Sequence, residues 1–136
     1  MIDLDHLREH SDLYKYAARV KGMPVDVDGF LKLDRYYLDL LKEVEGMRAN
    51  KNSVSKRIPN MKGKEKDEAL AEMKKLSETL KEREGELSKT KAAWDEMQLL
   101  LPNLPLKNVP VGETSEDNKE VKKWGKIPDW KYDPKD

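Results

Sequence analysis

Residues 47–64 read MRANKNSVSKRIPNMKGK, with six basic side chains (Arg48, Lys51, Lys56, Arg57, Lys62 and Lys64) and no acid. Six positive charges gathered on one protruding element suit a phosphate backbone, by an interaction that falls steeply as salt rises. Asn50, Asn52, Ser53 and Ser55 add neutral donors for sugar and phosphate oxygens. No aromatic residue interrupts the stretch, so it offers no platform for unpaired bases; recognition of structured RNA by shape and backbone fits better. A charge run on a helix is more often only a solvated face, and the stretch does not decide its own role.

Other chemistry is sparse. His6 and His10 are four apart and so share one helix face, but no third ligand stands at a suitable spacing, which makes a metal site unlike the usual arrangement. There is no glycine-rich phosphate loop and no cysteine, so thiolate metal sites and disulfides are excluded. The carboxylates are spread along the chain as solvated faces, and no catalytic constellation emerges. No catalytic, cofactor-binding or metal-binding residue is assigned within this chain.

The composition limits what can position the basic stretch. The chain has 136 residues, of which 40% are charged and 37% apolar, which argues for helices with much solvated surface rather than a thick core. Lys plus Arg and Asp plus Glu balance at 27 each, so only the distribution of charge is informative. From residue 65 to residue 98 there are ten acids against seven bases, which offsets the basic stretch elsewhere in the chain. No apolar run reaches the roughly 20 residues of a membrane span, and the opening MIDLDHLREH lacks the apolar core of a signal peptide. The expectation is a soluble intracellular helical protein, placed in the cytoplasm.

Residues 1–22 read as a short helical lead-in, with Ser11 as N-cap candidate and Gly22 placed to end the helix. Pro24 marks a turn, and Asp26 or Asp28 can cap the next helix. Leu33, Tyr37, Leu40, Val44, Met47, Lys51, Val54 and Ile58 are then spaced alternately four and three apart. The same alternation runs through Ala69, Met73, Leu76, Leu80, Arg83, Leu87, Thr90, Trp94, Met97 and Leu101. Both are unbroken heptad seams, and the Pro-Asn-Met-Lys-Gly run between them is a turn by composition. Two such helices fold back on each other. One register pairs Ile58 with Ala69, Val54 with Met73, Met47 with Leu80, Leu40 with Leu87 and Leu33 with Trp94. The paired rod is then about 38 Å long at the helical rise per residue.

Lys51, Arg83 and Thr90 interrupt the seams; for the two cations, long stems along apolar surface with solvated heads suffice as an explanation. Trp94 reads as core. Residues 102–136 carry Pro102, Pro105, Pro110, Pro128 and Pro134, which excludes a continuous helix. Trp124 and Trp130 are placed to pin this tail to something, and the final KYDPKD reads as a linker. The predicted fold is all-α: a long antiparallel two-helix coiled-coil hairpin over about 28–101 with its tip at about 59–66, short N-terminal helices, and an irregular proline-rich tail over 102–136.

Taken together these segments resemble a known family, the seryl-tRNA synthetases (serine–tRNA ligases) of bacterial and organellar type, in their N-terminal tRNA-binding domain. MIDLDHLREHSDLYKYAARVKG is similar to the family's opening, and LDRYYLDLLKEVEGMRANKNSVSKRI to its first arm helix. The most specific piece is LLLPNLPLKNVPVGETSEDNKEVKKWG, which resembles the family's connector and, unlike a heptad, is not repetitive. Met47 stands where leucine is usual and Leu106 where histidine is common.

The resemblance implies a hairpin that reaches the long variable arm of serine tRNA and orients it for ATP-dependent aminoacylation. By position it implies tRNA-binding roles for Arg48, Lys51, Asn52, Ser55, Lys56 and Arg57, and more loosely for Lys62 and Lys64 at the tip. It further implies that residues 102–136 lead towards a catalytic domain, since the chain stops at Pro134-Lys135-Asp136, short of it. The family's ATP, magnesium and serine sites lie in that domain, and so does its main homodimer contact; this chain alone is then compatible with a monomer. Two alternatives share the heptads: a prefoldin-like chaperone hairpin, which has no need of the connector, and a stand-alone homologue that binds tRNA without charging it.

Overall fold

The computed structural model of the chain describes residues 2–126. Helices α1 (Leu4–Glu9), α2 (Ser11–Val20), α3 (Val27–Arg57) and α4 (Lys64–Leu100) are accompanied by a 3-10 turn at Ile58–Asn60, between the two long helices, and a second such turn at Ser115–Asp117. No strand occurs among the described residues, so the fold is all-α as predicted. Two compact units divide at the Leu104–Pro105 bond.

The short N-terminal helices begin differently from the sequence expectation. Asp3 caps α1, its carboxylate accepting from the Asp5 and His6 amides at 3.0 and 3.1 Å. Ser11 is not an N-cap: His10 alone separates α1 from α2 and occupies the cap position without a side-chain hydrogen bond, so Ser11 falls inside α2. With one residue between two helices, the cap is fixed by the joint rather than by side-chain preference. Gly22 does end α2, at φ +61°. The Met23 amide donates to the Ala18 carbonyl and the Gly22 amide to Arg19, a paired closure that needs a left-handed residue at this position.

Asp26 caps α3 by accepting from the Gly29 amide at 2.9 Å. Every predicted seam residue of α3 from Leu33 to Ile58 is buried or half-buried, and so is every one on α4 from Ala69 to Met97. Leu40, Val44 and Leu80 form one buried cluster, with Met47 and Leu87 packed against it, as the predicted register requires. Cross-helix bonds lie around that register: Trp94 to Asp34, Arg83 to Glu43, Tyr36 to Glu86 and Arg48 to Glu84. At the far end Pro59 sits in the 3-10 turn, and Gly63 at φ +61° reverses the chain. The tip is shorter than 59–66, because Lys64, Glu65 and Lys66 already belong to α4. Glu65 and Asp67 favour that start by placing negative charge on the first turn.

The base of the hairpin is where the chain builds a core. Leu7 from α1, Tyr14 from α2, Val27 and Phe30 from α3, and Leu101 after α4 are buried together. Phe30 is wholly inaccessible, and burying a side chain of that kind contributes about 2–3 kcal/mol. α4 stops at Leu100 because Leu101 precedes Pro102 and takes an extended conformation, which a residue before proline prefers. Pro102 is buried, Leu104 packs on the base core, and Lys21 donates to the Asn103 carbonyl at 2.5 Å. The arm therefore runs to Leu104 rather than to 101.

From Pro105 the described backbone is largely irregular. Its one tight feature is a capping box in which the Asp117 carboxylate accepts from the Glu113 and Thr114 amides at 2.9 and 3.0 Å. Those amides hold the Asp117 carboxyl below the usual carboxylate range. Trp124 is 92% exposed. Trp130, Pro128, Pro134 and the KYDPKD segment lie outside the described residues.

Candidate nucleic-acid interface

The basic stretch occupies the end of the hairpin farthest from the buried core. Placing the seam residues Leu40, Met47 and Val54 at heptad position d and Val44, Lys51 and Ile58 at a fixes the rest. Arg48, Asn52 and Ser55 then line one flank of α3, Lys56 lies on its back, and Arg57 lies on the opposite flank. Lys62 and Lys64 surround the reversal at Gly63. The eight sequence-predicted residues thus share one end of the rod without sharing one face.

Their environments differ. Asn52, Ser55, Lys56, Arg57, Lys62 and Lys64 are exposed, whereas Lys51 is half-buried on the seam. A lysine there lays its methylenes on apolar neighbours and keeps its ammonium in water. Arg48 is engaged across the hairpin: Nε and Nη2 both donate to one Glu84 oxygen at 2.8 Å. Among the described residues, Lys51, Lys56, Arg57, Lys62 and Lys64 form no ion pair. No ion pair among the described residues competes with an external anion for these five cations. The partner of Arg48 was not foreseen, yet in the predicted register Arg48 and Glu84 both occupy position e, and antiparallel helices bring such positions together.

Nearer the base several charges are satisfied internally. Arg83, the seam interruption on α4, pairs with Glu43 at 3.2 Å and Glu86 at 2.8 Å. Asp34 is 3% exposed and accepts from Arg8 Nε and Nη2 at 2.8 and 2.9 Å and from Trp94 Nε1 at 2.9 Å. Burial alone would raise the Asp34 carboxyl, but the Arg8 and Trp94 hydrogen bonds and the guanidinium charge outweigh it and hold it below the usual range. Arg8 is correspondingly held above its ordinary value, chiefly by its hydrogen bond to Asp34. This node ties α1 to both long helices. Trp94 also packs on Phe30 and Tyr37, with ring centroids 6.0 and 5.3 Å away, so it is a core residue as read from the seam.

The two histidines do share a face, stacked at 4.4 Å between centroids, and His6 Nδ1 lies 3.1 Å from the Tyr14 hydroxyl. Stacking turns ring planes, not ring-nitrogen lone pairs, towards each other. Among the described residues no group of three or more His, Asp or Glu is arranged to hold a metal ion. No described helix is long and apolar enough to cross a membrane.

A two-helix antiparallel arm with a buried base and a cationic far end is the class of protein these features define. The model of the seryl-tRNA synthetase N-terminal domain matches residues 1–105. The chain belongs to that family. It is 35% identical over 136 residues to the serine–tRNA ligase of Deinococcus radiodurans, covering all of this chain and 32% of that protein. Against the serine–tRNA ligase of Clostridium tetani it is 34% identical over 140 residues, covering 99% and 33%. The crystal structure of seryl-tRNA synthetase from Pyrococcus horikoshii complexed with ATP superposes with a TM-score of 0.74 at 32% identity, covering 92% of this chain and 29% of that one. This chain thus spans about a third of the length of the relatives it matches.

Proposed function

We propose that this chain is the tRNA-binding arm of a serine–tRNA ligase. It grips the long variable arm of serine tRNA and positions the molecule for ATP-dependent aminoacylation by a catalytic domain outside this sequence. The observation that carries the reading is the set of exposed cations without acidic partners at the far end of a rod anchored by its base. Lys56, Arg57, Lys62 and Lys64 meet phosphates, Lys51 reaches out from the seam, Arg48 presents the guanidinium edge left free by Glu84, and Asn52 and Ser55 bond sugar or phosphate oxygens. ATP and magnesium belong to the catalytic domain, through which the whole enzyme forms a homodimer in the cytoplasm. Family membership supports this reading over a prefoldin-like hairpin.

The test is a titration of the 136-residue chain with serine tRNA and with a tRNA that lacks a long variable arm, at low and moderate salt. Preferential binding of serine tRNA is expected, with log affinity falling against log salt by roughly 0.7–0.9 per phosphate contact. Equal, weak binding of both would sink the proposal. Replacing Arg48, Lys51 and Lys56 together with glutamate is expected to weaken binding at least tenfold while circular dichroism retains full helicity. Loss of helix in that variant would instead assign these positions to the fold.

A further inference from the structure

The two flanks of the distal hairpin differ in charge: acids predominate on one, whereas on the other bases balance them. Cross-helix bonds identify which residues share a flank: the Arg48–Glu84 pair joins the e positions of α3 and α4 on one side, and the Tyr36–Glu86 bond joins the g positions on the other. In an antiparallel pair the b positions adjoin the e flank and the c positions the g flank. On the g flank, α4 sets Glu65, Glu68, Glu72 and Glu82 beside the tip and the distal half of α3. These acids outnumber Arg57 of α3 and Lys75 of α4 on that side, so an anionic backbone is repelled along the flank, and Arg57 meets phosphate only where the flank ends at the tip.

The e flank is different. There α4 presents Lys74 and Lys81, two turns apart and about 10.5 Å along the helix, both exposed. Half-buried Ser77 lies between them, facing Asn52 and Ser55 of α3. Of the acids on this flank, Glu84 is already bound to Arg48, Asp67 lies at the tip, and Glu45 of α3 lies at the end nearer the base. Among the described residues neither Lys74 nor Lys81 forms an ion pair. The net acidity of α4 conceals this, because its distal acids concentrate on the other flank.

We propose that the RNA lies across the flank marked by the Arg48–Glu84 pair, and that Lys74 and Lys81 of α4 bind its phosphates opposite Asn52 and Ser55 of α3. The inference rests on the arm being an RNA-binding element and adds which side of it is used and which residues of the second helix take part. The footprint crosses the hairpin rather than running along α3 alone.

The deciding comparison uses two double charge reversals on the same helix. K74E/K81E changes the e flank, and K75E/K89E changes the same number of lysines at c positions on the g flank. Serine tRNA is titrated into the 136-residue chain and both variants across a salt series, with circular dichroism recorded for each. K74E/K81E is expected to lose about tenfold in affinity and to flatten the salt slope by about 1.5, as two lost phosphate contacts require. K75E/K89E is expected to stay within twofold of the parent. Equal losses in the two variants, or the larger loss in K75E/K89E, overturn the proposal. If neither variant changes binding while the α3 triple reversal abolishes it, the flank assignment fails and the arm's function stands. If the α3 reversal is also without effect, the RNA-binding reading fails with it.

Discussion

The base and the far end of the hairpin are built from the same two helices by opposite means. At the base, α1 and α2 cover one end of the coiled coil, Phe30 and Leu7 are fully inaccessible, and even a carboxylate is sealed in. Beyond Val44 and Leu80 no residue of α3 or α4 out to the tip is buried, and the seam through Met47, Val54, Ala69 and Met73 is only half covered. Two helices alone cannot shield their shared seam from water; a third layer is needed. The lesson is a division of labour: stability is concentrated where additional chain is available, and the end left thin is the one free to present charge.

The largest test of that division is a pair of truncations. Phe30→Ala removes a fully buried ring and is expected to cost about 3–5 kcal/mol in denaturant unfolding. Val54→Ala, on the half-covered seam, is expected to cost about 1 kcal/mol. Comparable losses at the two sites would break the comparison. Amide hydrogen exchange sharpens it further: protection is expected to fall along α3 from the Val44 region towards Ile58, as local opening near the tip exposes little apolar surface.

Next in size is the polar node. Asp34→Ala leaves the Arg8 guanidinium and the Trp94 N–H without their acceptor and is expected to cost about 3 kcal/mol. The same node fixes an acid limb. The folded Asp34 carboxyl lies below its ordinary range, so its contribution is complete above the ordinary carboxylate pKa of about 4 and is lost as pH falls through the folded value. Unfolding midpoints are expected to decline below about pH 4, and the decline is expected to be smaller in Asp34→Asn. An unchanged acid limb in that variant would remove Asp34 from the account.

These features were not equally visible in the sequence. The heptad seams, the hairpin and its register came from spacing alone, because every position from Leu33 to Ile58 obeys one period and a one-residue slip would expose the whole set. Gly22 as a terminator was legible from local residue preference, and so was the cap of α3 as Asp26 or Asp28, of which the structure uses Asp26. Ser11 misled because His10 is the only residue between two helices, and no propensity encodes that joint. The Asp34 node was hidden: it draws on Arg8 and Trp94, which lie far away in sequence, and an aspartate at position e reads as solvated. The basic stretch was found, but its spread around α3 and the unequal charge of the two flanks appear only once the helices are paired.

The smallest expected effect bears most directly on how the distal end works. The Arg48–Glu84 pair looks like a counterpart of Arg8–Asp34, since each joins a guanidinium to a carboxylate on another helix. Arg48 and Glu84 are 52% and 38% exposed, however, and exposed pairs contribute well under 1 kcal/mol because water and salt compete for both partners. A double-mutant cycle with Arg48→Gln and Glu84→Gln is therefore expected to give a coupling of about 0.5 kcal/mol or less, decreasing as salt is added. A pair bound this weakly costs little to open, so Arg48 can turn to an incoming phosphate without loosening the hairpin. A coupling of about 2 kcal/mol or more, far above what exposed pairs show, would instead make Arg48 a structural clamp and move the cationic surface beyond it, towards the tip.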